Sequence, residues 1–154
     1  MNLEFFDLLY ADAEFCEAMG RATLAAGRFE STLKAFLRFK GVAVPERGAS
    51  FGWLIGALEK HRYLSENGVR VLRDVKRQRN YLTHSLFDLF AGRIAETVLQ
   101  RTDLVSPDVG VFAEKAWVLE DNMLGLSKIA ETKLAKLMAG AETQADVDQL
   151  LFRP

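Results

Sequence analysis

The feature that most constrains the fold of this chain is the segment of residues 69–90, where apolar side chains recur at the period of an α-helix. At about 100° per residue, one face of this helix collects the side chains of Val71, Val75, Leu82, Leu86 and Leu89. A helix with such an apolar stripe buries it against other elements of the protein. The segment therefore predicts a long helix packed inside a helical bundle.

Residues 3–40 show the same period and are predicted to form one long helix or two consecutive helices. Gly20 and Gly27 lie inside this stretch, and a glycine in a helix interior costs about 1 kcal/mol relative to alanine. Either glycine is therefore a candidate position for a bend or break. Residues 41–48 predict a loop, because Pro45 disfavours helix in the residue before it and glycines flank the segment.

Ser50 is predicted to cap a short helix of residues 51–61. The apolar face of this helix consists of Phe51, Leu54, Ile55 and Leu58. A turn is expected at residues 65–68, before the long helix begins.

The C-terminal third begins with residues 92–105, which fit neither the helix nor the strand period, so that a short hairpin and a short helix are equal alternatives. Ser106 followed by Pro107 has the pattern of an N-cap and a proline at the first helical position. This pattern predicts a helix that extends to about residue 138 and ends at Gly140.

Composition supports a single folded domain. The chain has 154 residues, of which 49% are hydrophobic and 27% charged, as in soluble globular proteins. We therefore expect an all-α bundle of four to five main helices in which residues 1–154 form one domain. Because 20 Lys and Arg oppose 21 Asp and Glu, no overall field attracts nucleic acid, and any RNA contact has to be local.

The N-terminal residues and the apolar runs of the chain predict where in the cell the protein is found. Acidic residues occupy the first positions, where a signal peptide carries positive charge, and no apolar run reaches membrane-spanning length. Cys16 is the single cysteine and is expected to be a small buried residue with a structural role. These features predict a cytoplasmic protein without membrane contact.

One segment of the long helix carries a recognisable chemical arrangement, Arg79-Asn80-Tyr81-Leu82-Thr83-His84. On an α-helix, a polar stripe within about 40° of Arg73 also holds Arg77, Asn80 and His84. Arg79 falls elsewhere, at the margin of the apolar face, where its charge is partly desolvated and requires a partner. Glu30 lies at the edge of an apolar face in an earlier helix and is the predicted partner; a solvated Glu30 at the rim of that helix is the alternative.

Arginine, a polar residue, three further residues and histidine resemble the Arg-x4–6-His motif of HEPN domains. The resemblance implies a HEPN-like helical bundle over residues 3–138 and a homodimer whose paired motif helices form a cleft that cleaves RNA without a metal or another cofactor. It implies that Arg79 steadies the phosphate, that His84 moves a proton while the ribose 2′-hydroxyl attacks the phosphorus, and that Asn80 is a supporting hydrogen-bonding residue. The roles of Arg79 and His84 suit their side chains, since guanidinium binds phosphate in bidentate fashion and imidazole titrates near neutral pH.

The resemblance leaves two functions open. The first is an endoribonuclease of the toxin or phage-defence type, whose partners would be RNA and a protein antitoxin or regulator. The second is a catalytically silent dimerisation or binding module with the same fold. Arg73 and Arg77 extend the polar stripe and are candidates for RNA-backbone binding, or else form an ordinary solvated helix face.

Two further residues bear on how such a toxin would be neutralised and on whether the protein binds a metal. Leu86 stands where some HEPN toxins have a tyrosine that a partner nucleotidyltransferase modifies, so this mode of neutralisation is not expected here. His61, the only other histidine, has no Cys, Asp or Glu cluster at ligand spacing, and no metal site is expected.

Overall fold

A computed structural model describes residues 3–85 and 106–140 of the chain. These two ranges contain helices joined by loops and turns, and no strand. The five α-helices and one π-helical segment are α1 (Leu3–Ala11), α2 (Ala13–Phe39), α3 (Phe51–Lys60), α4 (Glu66–Asn80), the π segment (Tyr81–Ser85) and α5 (Ser106–Met138). The predicted all-α class is confirmed. The predictions for Leu86, Leu89 and residues 92–105 lie outside the described ranges.

The N-terminal helical stretch is two consecutive helices, divided at Asp12. The Asp12 carboxylate accepts a hydrogen bond from the backbone N–H of Phe15 at 2.7 Å and so caps α2. A break at Gly20 or Gly27 is not observed, because both glycines lie inside α2. The long buried face of α2 outweighs the roughly 1 kcal/mol that each glycine costs.

A serine caps the N-terminus of both α3 and α4. Ser50 Oγ accepts from the N–H of Trp53 at 3.2 Å, which confirms the predicted cap, and α3 ends one residue before the predicted end. Ser65 Oγ accepts from the N–H of Gly68 at 3.1 Å, so the residues predicted as a separate turn are the first turn of α4. The predicted loop after α2 is confirmed.

The core lies between α2 and α5, which pack along most of their length, with α3 and α4 against them. The largest fully buried side chains are Phe29, Phe36, Phe51, Phe112, Leu33, Leu37, Leu54, Leu58, Leu72 and Leu82. The four residues of the predicted apolar face of α3 are all buried. Helix α5 ends as predicted, where Gly140 has φ 66° and its N–H donates to the carbonyl of Leu137 at 3.0 Å.

Cys16 differs from its prediction, because it is exposed. Phe15 takes the buried position of this turn of α2, and Cys16, one residue on, points away from the core. Its thiol donates to the carbonyl of Leu9 at the end of α1, at 3.4 Å. None of the helices in the described ranges is long and apolar enough to cross a membrane.

Candidate functional site

The motif helix, which consists of α4 and the π segment, packs against the core through its apolar face. Leu72 and Val75 of α4 and Leu82 of the π segment are buried, and they fix the rotation of the helix against the core. The margin of this face holds Arg79, as the sequence predicts.

The predicted continuous α-helix changes to π-helix inside the motif, at Tyr81–Ser85. Thr83 Oγ1 donates to the carbonyl of Arg79 at 2.9 Å, where it competes with the backbone N–H groups for that acceptor. On an ideal α-helix, positions 79 and 84 differ by about 140°. A π turn closes i→i+5 hydrogen bonds and rotates less per residue, so His84 lies closer in angle to Arg79 than the α-helical prediction places it.

Arg79 pairs with Glu30 of α2, as predicted. The distance from Arg79 Nη2 to Glu30 Oε1 is 3.3 Å, and the two side chains are only 33% and 16% exposed. The alternative of a solvated Glu30 is therefore wrong. Glu30 Oε1 accepts no hydrogen bond of normal geometry in the described ranges, so the contact is an ion pair without an aligned N–H. The guanidinium consequently keeps N–H donors for another acceptor, and the carboxylate fixes where they lie.

A cleft of about 200 Å³ surrounds this pair, between α2 and the motif helix. Thr23 and Thr83 add hydroxyl groups to its wall, and Leu82 belongs to its apolar part. Gly27 leaves open space where a Cβ would stand. Pockets for drug-sized ligands measure about 300–1,000 Å³. The cleft at Arg79 in a single chain is therefore smaller than a typical pocket for a drug-sized molecule.

The other two predicted site residues of the motif are Asn80 and His84, and neither is buried. His84 is exposed and Asn80 is half-buried, and neither side chain makes a hydrogen bond to the described residues. The structure of one chain thus brings Glu30 to Arg79, whereas the imidazole faces solvent.

Arg73 and Arg77, the candidate RNA-binding residues, are exposed and ion-paired. Arg73 Nη2 lies 2.8 Å from Glu59 Oε2, and Arg77 pairs with Asp74. Their side chains are 57% and 77% exposed, so both pairs are open to solvent and to exchange with other anions. Within the described ranges, no three His, Cys, Asp or Glu side chains come together as a possible metal site.

Sequence reasoning did not identify Thr83 and Gly27 as residues that line the cleft at Arg79. Both leave a signal at helical spacing: Thr83 is four residues after Arg79, and Gly27 is three residues before Glu30. Comparisons with family models, with curated proteins and with solved structures find no significant match to this chain.

Proposed function

We propose that this protein is a metal-independent endoribonuclease of the HEPN type, of the toxin or phage-defence class, that acts as a homodimer. The observation that supports it best is the half-buried guanidinium of Arg79, which is held by Glu30 at 3.3 Å and lies five positions before the exposed His84. An arginine oriented by a carboxylate in a small cleft suits the recognition of an RNA phosphate.

In the proposed reaction, the ribose 2′-oxygen forms a bond to the adjacent phosphorus, and the bond from phosphorus to the 5′-oxygen of the next nucleotide breaks. The products are a 2′,3′-cyclic phosphate and a 5′-hydroxyl. One imidazole accepts the 2′ proton and an imidazolium donates a proton to the 5′-oxygen, and the two copies of His84 in a homodimer supply both groups. The Arg79 guanidinium stabilises the charge that grows on the non-bridging oxygens.

A second function is favoured by the charge pairing on the motif helix. Arg73, Arg77 and Arg79 each have a carboxylate partner within the chain. A helix on which these three arginines are already ion-paired also suits a silent module that binds a protein partner. In that case the protein does not cleave RNA, Arg79 and Glu30 maintain the fold, and the loss of either side chain lowers stability.

Cleavage assays in EDTA test the proposal. The wild-type protein is expected to cut RNA, and His84→Ala to cut about 100-fold more slowly or not at all at an unchanged melting temperature, since general acid–base groups contribute about 10²–10⁴-fold. Arg79→Lys is also expected to lose activity, because an ammonium has the charge but not the planar fork.

Arg70→Ala is the matched control. Arg70 is an exposed arginine of the same helix that donates to Asn67 Oδ1 at 2.7 Å, and it does not line the cleft. This variant is expected to cut at the wild-type rate. Full cleavage by His84→Ala, or cleavage that requires added Mg²⁺, contradicts the proposal.

A further inference from the structure

A second cleft, of about 570 Å³, lies away from the motif residues. It is formed by the loop that follows α2, by α3 and by the turn that leads to α4. No motif residue is among the described residues that line it. Its volume is in the range of about 300–1,000 Å³ that suits a small organic ligand.

One face of α3 forms the floor of this cleft. Trp53, Gly56, Ala57 and Lys60 are spaced at i, i+3, i+4 and i+7 and therefore lie along one side of the helix. A Cβ added at Gly56 meets nothing within 4 Å, so the space above the glycine is open. Glycine destabilises a helix interior relative to alanine, and the surrounding packing does not require it at this position. The small residues between Trp53 and Lys60 leave room for a ligand.

Aromatic rings form the opposite wall. Tyr63 is anchored edge-on by the buried Phe36, with ring centroids 5.4 Å apart at 89°. His61 stacks on Tyr63 at 5.7 Å and 13°. Trp53 is 36% exposed, a large apolar surface beside the same cleft. An exposed indole such as that of Trp53 binds the bases of nucleic acids by stacking.

The charge of the cleft is positive in a nearly neutral protein. Lys40 and Lys60 line it, with Lys40 Nζ 5.1 Å from the centroid of the Tyr63 ring, and no Asp or Glu is among its described lining residues. The C-terminal ends of α2 and α3 each add about half a negative charge near it. Two full positive charges outweigh these two half charges, so a net attraction for an anion remains.

We infer that this cleft binds a nucleotide unit, a planar base joined to a phosphate. The base stacks on Trp53, and the phosphate contacts Lys40 and Lys60. The nucleotide comes either from single-stranded RNA or from a free mononucleotide. This site goes beyond the proposed cleavage, because it uses none of the residues that would cut RNA.

Tryptophan fluorescence tests this inference. In the Trp117→Phe/His84→Ala protein, Trp53 is the only tryptophan, and the protein cannot cut its ligand by the proposed reaction. Saturable quenching by an eight-residue oligoadenylate or by adenosine monophosphate, but not by inorganic phosphate, is expected. If the oligonucleotide binds at least tenfold more tightly than the mononucleotide, the source is RNA; equal affinities identify a free nucleotide. No quenching, or equal quenching by inorganic phosphate, overturns the inference.

A variant that fills the cleft separates binding from folding. Gly56→Leu places a side chain in the open space above α3 and is expected to weaken nucleotide binding at least tenfold without lowering the melting temperature. Gly125→Leu, at an exposed glycine of α5 with equally open surroundings, is the matched control and is expected to bind as before. Wild-type affinity in Gly56→Leu overturns the inference.

Lysine variants test the phosphate contact in the same binding assay. Lys40→Gln and Lys60→Gln are each expected to weaken binding severalfold, whereas Lys128→Gln, at an exposed lysine of α5, leaves it unchanged. Equal affinities in all three variants count against the inference. Because these assays measure binding in a protein without His84, their result is independent of whether the wild-type protein cleaves RNA.

Discussion

The C-termini of α2 and α3 have the same backbone geometry, but the residue with positive φ is Gly41 after α2 and Arg62 after α3. At the end of α2, Gly41 has φ 74°, and the N–H of Val42 donates to the carbonyl of Leu37 at 2.9 Å. At the end of α3, Arg62 has φ 56°, and the N–H of Tyr63 donates to the carbonyl of Leu58 at 2.9 Å. Both are Schellman motifs, in which a left-handed residue closes the helix. Glycine adopts this conformation without strain, whereas arginine does not.

Exchanging the residue type at these two positions is expected to change stability in opposite directions. Arg62→Gly relieves roughly 1–2 kcal/mol of left-handed strain, and the greater entropy of the unfolded chain offsets roughly 0.4–1 kcal/mol of this. The free energy of unfolding therefore rises by up to about 1.6 kcal/mol. Gly41→Ala introduces the strain and lowers it by about 1 kcal/mol. Urea unfolding of both variants provides the measurement. A loss of stability in Arg62→Gly contradicts this account of the turn.

At the scale of whole elements, helix identity and caps follow from sequence more readily than helix boundaries and distortions. The apolar face of α3 and its Ser50 cap are local patterns, and both are present in the structure. The division at Asp12 was not predicted, because the apolar period continues across it. The π segment was not predicted either, since the period of 3.6 residues assumes an undistorted helix. The pairing of Glu30 with Arg79 was predictable because each charge lies at the margin of an apolar face and needs a partner.

Helices α2 and α5 are also joined by an ion pair whose strength depends on pH. Arg28 Nε and Nη2 donate to Glu131 Oε1 and Oε2, both at 2.7 Å. These hydrogen bonds hold the pKa of the Glu131 carboxyl below its usual value of 4.5. A carboxyl whose pKa is lowered in the folded state stabilises the fold above its unfolded pKa, and the contribution is lost as the pH falls through the folded pKa.

Stability is therefore expected to decrease below pH 4.5 in part through Glu131. In Glu131→Gln the corresponding part of the pH dependence disappears, so that the wild-type and variant melting temperatures converge as the pH falls. The effect is modest, because the Glu131 side chain is 36% exposed and solvent screens the pair. Melting curves between pH 3 and pH 7 measure it, and a constant difference between the two proteins across this range contradicts the assignment.

At the scale of the whole molecule, one chain does not by itself supply the two imidazoles that the proposed cleavage uses. The cleft at Arg79 is small, at about 200 Å³, and His84 faces solvent. The chain has a net charge of −1, so electrostatic attraction of RNA depends on local groups. Pairing of two motif helices would enlarge the cleft and bring two sets of Arg73, Arg77 and Arg79 to one groove. The proposed nuclease therefore requires both a second copy and cations that exchange their carboxylate partners for phosphates.

This exchange makes a prediction for RNA binding by the His84→Ala protein. Arg73→Gln removes one phosphate contact, so affinity falls and the slope of log K against log salt concentration decreases by about 0.7, the value for one contact on a single strand. Glu59→Gln removes the carboxylate that lies 2.8 Å from Arg73, so affinity rises while the slope is kept. Arg70→Gln on the same helix is the control and is expected to change neither. Filter-binding titrations from 50 to 300 mM KCl give all three slopes. Equal affinities of the Arg73 and Glu59 variants would show that Arg73 contacts Glu59 alone and that the RNA binds elsewhere.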